Sequence, residues 1–161
     1  GAPTLPEALD LVAGRVPLVI EIKDQDGAMG PNVGTLEAQV ADALAFYSGA
    51  VAVMSFNPHA VAAFAKRAPQ IPVGLVTCSW DKEDWPLIPA ERRTDLAQMP
   101  DFDRVNAAFI SHDCRSLDSA PVLEHKTRGT PILCWTVRSE EQANAARKIA
   151  DQITFEGYVP A

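Results

Sequence analysis

Short apolar runs alternate along this chain with longer stretches whose apolar residues recur at three and four, the pattern of strand followed by amphipathic helix. Thr4 and Glu7 read as a capping box that opens a helix through about Val12, with Leu5, Ala8, Leu9 and Val12 on one face and Gly14 at its end. Val16 to Lys23 follows as a strand rich in branched residues, closed by the turn-forming Asp24-Gln25-Asp26-Gly27. The next helix runs from Leu36 to Tyr47, and Val51 to Ser55 is the second strand. Asn57-Pro58 starts a helix through Lys66, since asparagine suits an N-cap and proline the first helical position. Pro69 stops it, and Ile71 to Thr77 is the third strand.

Residues 79 to 106 break the rhythm, with Trp80, Trp85, Pro86, Pro89 and Pro100 among charges and one short helix around Glu91 to Gln98. The stretch is too long for an idle connection. Ala107 to Ser111 is the fourth strand, Pro121 to Lys126 belongs to a helix ending at Gly129, and Pro131 to Val137 is the fifth strand. Ser139 with Gln142 caps a helix through Ala150, and Gln152 to Phe155 is the sixth strand.

Strands alternating with helices argue for an α/β protein with a parallel sheet covered on both faces. A doubly wound sheet and a barrel both satisfy this. The polar residues favour the barrel, because they gather at the C-terminal ends of all the strands: Glu21 and Lys23, Ser55, Thr77, Ser111 and His112, Trp135 and Thr136, Glu156. A closed eightfold barrel takes about 250 residues. This chain has 161, so the fold expected is a TIM-type (β/α)8 barrel that is incomplete.

Composition narrows the function. With 47% hydrophobic and 22% charged residues the chain can bury a sizeable core, and the net charge of −7, without any basic cluster beyond Lys66-Arg67 and Arg92-Arg93, argues against nucleic acid or anionic lipid as partners. No apolar run approaches the ~18 residues of a membrane span. Cys78, Cys114 and Cys134 are odd in number and widely spaced, which points to free thiols in or near the core and, with no signal segment at Gly1, to a cytoplasmic location.

The segment Val19-Ile20-Glu21-Ile22-Lys23 carries the most chemical information. Alternation puts Glu21 and Lys23 on one face, inside a barrel at its C-terminal mouth. There they either pair with each other or neighbouring groups, or serve a charged ligand. A carboxylate suited to a divalent cation beside a lysine suited to an anionic oxygen is what phosphoester chemistry needs. His112-Asp113 reads as a strand-end pair whose members point opposite ways, and His59 and His125 as surface residues. Trp135 is either a core aromatic or one that faces substrate, and Asp24-x-Asp26-Gly27 is a turn, since no bidentate glutamate follows at calcium-loop spacing.

At these residues the chain resembles the glycerophosphodiester phosphodiesterase family. The matching stretches are Pro3-Thr4-Leu5 with Glu7-Ala8-Leu9, Pro17 to Lys23 (PLVIEIK), Ser55-Phe56-Asn57-Pro58, Ile71 to Leu75 (IPVGL), Pro131 to Val137 (PILCWTV) and Asp151 to Pro160 (DQITFEGYVP), in family order. The resemblance implies a TIM-type barrel that hydrolyses a small-molecule glycerophosphodiester to an alcohol and glycerol 3-phosphate with a divalent cation, Mg2+ or Ca2+. It further implies Glu21 as a metal ligand, Lys23 as a catalytic residue that also holds the phosphate, and Trp135 and Phe56 as substrate contacts. Glu156 stands where many relatives have aspartate in a T-D-x-P ending.

The family's opening half, an H-R-G strand, an E-x-D strand and a later H-D, has no counterpart in this sequence, and His112-Asp113 falls too far along to be that H-D. The expectation is therefore a single, N-terminally truncated domain over residues 1–161 carrying barrel strands three to eight, inactive alone and active as part of the intact enzyme. Residues 79–106 are expected as a lid insertion, with Trp80 and Trp85 capping an apolar alcohol. The alternative is a catalytically incomplete fragment that binds an anion or self-associates as a homo-oligomer through its open first strand.

Overall fold

The computed structural model describes residues 1–160. Strand order in the sheet follows chain order, β1 to β6, and the paired strands run parallel. This is the α/β topology of an incomplete TIM-type barrel, in which each parallel pair is joined through a helical crossover. The chain divides into two compact units, Gly1–Gly74 and the residues from Leu75 on.

In the first unit, α1 (Leu5–Val12) begins with the expected capping box: Thr4 Oγ1 accepts from Glu7 N at 3.4 Å and Glu7 Oε2 accepts from Thr4 N at 2.7 Å. β1 (Leu18–Glu21) is shorter than the apolar pattern suggests, because its register runs only from Leu18 opposite Val51 to Glu21 opposite Met54 on β2 (Val51–Ser55). Lys23 thus lies beyond the strand rather than within it. α2 (Thr35–Leu44) stops three residues before Tyr47, where the phenol turns back to accept from Gly14 N at 3.2 Å. Gly34 precedes α2 with φ of 126°, a conformation closed to residues with a Cβ, and its N–H is taken by Glu37 at 2.6 Å. α3 (Pro58–Arg67) completes the unit, with Val40, Leu44, Val53, Val61 and Phe64 in the core.

β3 (Val73–Thr77) ends in the second unit. α4 (Ala90–Ala97) and a short α5 (Asp101–Arg104), which no sequence signal marked, follow it. The irregular stretch is well anchored: Trp80, Ile88, Leu96, Met99, Phe102 and Val105 are all buried. β4 occupies Phe109–Asp113, two residues later than the apolar run suggests, because its pairing with β5 (Ile132–Val137) continues to Asp113 opposite Trp135. A 3-10 turn (Cys114–Ser116) leads to α6 (Ala120–Thr127). α7 (Glu140–Ala146) ends four residues short of Ala150 in tighter turns, before β6 (Gln152–Phe155).

His125 corrects an expectation. It is buried rather than on the surface, its ring against Phe102 with centroids 4.4 Å apart and Nδ1 3.4 Å from Thr130 Oγ1. His59 is half-buried. The reason is the unforeseen α5, which supplies the Phe102 face that covers His125.

Candidate active site

In the first unit, register alternation places Glu21 on the side of β1 shared with Val19, while Ile20 and Ile22 go with the buried Val53 and Ser55. Glu21 is half-buried and Lys23 exposed, and Lys23 Nζ donates to Glu21 Oε1 at 2.7 Å. The two groups are therefore brought together, although Lys23 is 75% exposed and not enclosed as a barrel interior would have it. An ion pair so open to water contributes at most about 1 kcal/mol, so either member can exchange its partner for a ligand at little cost.

Ser55 takes the side of the sheet opposite Glu21. Its hydroxyl donates to Ile22 O at 2.6 Å and accepts from Asn57 N at 3.1 Å, which makes it a structural tie. Phe56 is half-buried. Asn57, fully buried, caps α3 by accepting from His59 N at 2.9 Å and donates through Nδ2 to Asp24 Oδ1 and Gly30 O, both at 2.8 Å. Asp24 also accepts from the backbone N–H of Asp26, Gly27 and Met29, and Asp26 accepts from those of Ala28, Gly30 and Asn32. Burial opposes ionisation of Asp24, but the Asn57 amide and these N–H groups together hold its pKa below the usual carboxylate value. The two aspartates are internal acceptors of the turn that follows the Glu21–Lys23 pair. A side chain at Gly30 would collide with Asp26, whose Oδ1 lies 2.7 Å from where its Cβ would stand.

In the second unit, Trp135 is half-buried on β5 and donates through Nε1 to Ser111 O at 3.1 Å. Its register partner is Asp113, so both sit at the same level on one face near their strand ends. His112 takes the other direction, with Nδ1 2.7 Å from Thr77 Oγ1 and Nε2 3.0 Å from Ser116 Oγ. Asp113 has a partner that its adjacency to His112 in the sequence does not reveal. Its carboxylate is gripped by Arg115 through Nε and Nη2, at 2.9 and 2.6 Å to Oδ2, while Arg115 Nη2 reaches Asp84 Oδ2 at 2.7 Å. The spacing Asp113-x-Arg115 at a strand end was the available signal. Trp80 is buried and tilted against half-buried Trp85, ring centroids 4.7 Å apart. All three cysteines are free, with burial pushing the Cys78 and Cys134 thiols up to about 11.

Burial pushes the His112 imidazole down to about 4 from its ordinary 6.5, against the smaller upward pull of Asp113. The unfolded chain therefore takes up this proton first as pH falls. Stability from neutral His112 is complete above about pH 6.5 and lost by about pH 4, a change of roughly 3 kcal/mol. His112→Gln should flatten the fall of Tm between those pH values, and an unaltered acid limb would contradict this assignment.

Glu21 has donor chemistry suited to a hard divalent cation. Among the described residues, however, no three histidine, cysteine or carboxylate groups converge on a point, and one Glu21 oxygen is already held by Lys23. The described residues alone do not complete a cation site. No helix among them is long and apolar enough to cross a membrane.

The glycerophosphoryl diester phosphodiesterase family model matches residues 2–153. No curated protein matches the chain in sequence. A phosphodiesterase from Oleispira antarctica, solved in complex with the product sn-glycerol-3-phosphate, has a TM-score of 0.72 at 19% identity, covering 95% of this chain and 57% of that one. A glycerophosphodiester phosphodiesterase from Parabacteroides distasonis has a TM-score of 0.66 at 18% identity, covering 95% of this chain and 59% of that one. For one from Agrobacterium tumefaciens the TM-score is 0.63 at 16% identity, over 96% of this chain and 58% of that one. At these identities the likeness shows the fold, and the chain spans less than two thirds of each solved structure's length. The match over 2–153 makes the stronger statement: the chain belongs to the glycerophosphoryl diester phosphodiesterase family.

Proposed function

We propose that the protein carrying this chain hydrolyses glycerophosphodiesters to an alcohol and glycerol 3-phosphate, and that this chain supplies the C-terminal part of the barrel domain. The observation that carries the reading is the Glu21–Lys23 pair at the end of β1, solvent-open and thermodynamically cheap to part, in a chain of this family. Lys23 offers a full positive charge and three N–H donors to the phosphoryl oxygens, where charge builds as the diester is attacked. Glu21 Oε1 accepts from that ammonium at 2.7 Å and orients it.

We infer that Glu21 contributes one oxygen to a divalent cation, whose chemistry when bound is to polarise the phosphodiester. Calorimetric titration of Mg2+ or Ca2+ into wild type and Glu21→Gln measures this contribution. Trp135 and Phe56 are the proposed apolar contacts of the substrate, each described within its own unit, and residues 79–106 a proposed specificity segment. Three free thiols suit a reducing compartment.

A binding experiment separates this reading from a purely structural ion pair. sn-Glycerol 3-phosphate should bind the wild type, and Lys23→Gln should weaken that binding about tenfold, the worth of one charge-assisted hydrogen bond. Equal affinity in the two proteins would rule Lys23 out as a phosphate ligand.

A further inference from the structure

One carboxylate of the first unit has no part in the chemistry proposed above. Glu37 is wholly buried in the first turn of α2, where its Oε2 accepts from Gly34 N at 2.6 Å. Its Oε1 is buried too and has no hydrogen-bond partner among the described residues. A buried carboxylate oxygen without a donor destabilises the folded chain, so one kept in that state points to a donor supplied from outside. A cavity of about 390 Å³ lies against it, lined by Gln25, Asn32, Gly34, Thr35, Glu37 and Gln39 among others. A Cβ at Gly34 would meet nothing within 4 Å, so the cavity is open above the helix start.

The wall of this cavity joins two opposite demands. Glu37 Oε1 requires a donor, whereas the first turn of α2 is the positive end of a ten-residue helix, whose leading N–H groups require acceptors. A cation suits the carboxylate and opposes the helix end, and an anion does the reverse. A hydroxyl donates to the one and accepts from the other, and the Asn32 and Gln39 amides can serve it in either role. A group with several hydroxyls is the chemistry that this wall fits. Its place also connects it to the phosphate, because Gln25 Nε2 donates to Lys23 O at 2.9 Å. Cavity and Lys23 thus share the loop after β1, inside the Gly1–Gly74 unit.

We propose that this cavity receives the alcohol moiety of the diester, that this alcohol is a polyol, and that Glu37 Oε1 accepts from one of its hydroxyls. The proposal rests on the hydrolase reading above and adds a substrate class to it: glycerophosphodiesters of polyols. Glu37 is a binding residue here.

Glycerophosphoinositol and glycerophosphocholine share glycerol 3-phosphate, but the first carries a ring of hydroxyls and the second a quaternary ammonium with no donor. Calorimetric affinity is measured for both with the protein that carries this chain. Glycerophosphoinositol should bind about tenfold more tightly, the worth of one charge-assisted hydrogen bond. Glu37→Gln should abolish that preference, since its amide oxygen can still accept from Gly34 N while its NH2 group replaces the accepting Oε1. If Glu37→Gln fails to fold, Gln39→Ala at the exposed rim should narrow the preference about threefold, the worth of one neutral hydrogen bond, and an unaltered ratio there overturns the inference. Preference for glycerophosphocholine, or a preference for glycerophosphoinositol that survives in Glu37→Gln, also overturns it. Binding of both diesters with equal affinity overturns only the polyol site, whereas binding of neither overturns the hydrolase reading and the site with it.

Discussion

Glu21→Gln is expected to lower turnover of glycerophosphodiesters by at least about a hundredfold, the scale on which loss of one group acting on transition-state charge is felt. Fold stability should barely move, because the ion pair that Glu21 makes with the 75%-exposed Lys23 is worth at most about 1 kcal/mol. The two results together distinguish a functional carboxylate from a structural one. A fall in Tm of many degrees with equal loss of activity would place Glu21 among the residues that hold β1 in position. Retained turnover would remove it from the chemistry.

Asn57→Ala carries the largest expected effect on stability. The side chain caps α3 and ties together Asp24 and Gly30 of the turn after β1, and it is wholly buried. Truncation costs about 1 kcal/mol for the cap, takes from Asp24 Oδ1 one of its two donors at about 1 kcal/mol, and leaves the Gly30 carbonyl without its Asn57 donor at about 1–3 kcal/mol. The sum, about 3–5 kcal/mol, should lower Tm by about 10 °C in a chain of this length. Asn57→Asp keeps the cap acceptor but faces Asp24 with a second carboxylate, so it should not restore stability. A Tm within about 3 °C of wild type for Asn57→Ala would show that the turn is held by the Asp24 and Asp26 backbone contacts alone.

The parts legible in the sequence were those governed by local rules. The Thr4-x-x-Glu7 box, the Asn57-Pro58 helix start and the β2 and β6 apolar runs appear where the pattern puts them, because caps and alternating burial are set by residues a few positions apart. The errors came where partners distant in sequence decide the outcome. β4 extends to Asp113 because β5 pairs with it that far, and His125 is buried because Phe102 covers it. A Glu21–Lys23 ion pair was one of the two outcomes their spacing of two residues allowed, whereas the Asp113–Arg115–Asp84 cluster depends on a loop 31 residues away. Ser55, grouped by its strand-end position with the other polar residues, turned out to serve Ile22 O and Asn57 N, a distinction that position alone does not carry.

Phosphorus NMR of a glycerophosphodiester incubated with the purified protein that carries this chain, in the presence of Mg2+ or Ca2+, tests the central claim most directly. The diester resonance should be replaced by that of glycerol 3-phosphate with wild type and persist with Glu21→Gln. A diester signal that stays unchanged with the wild-type protein would contradict the account.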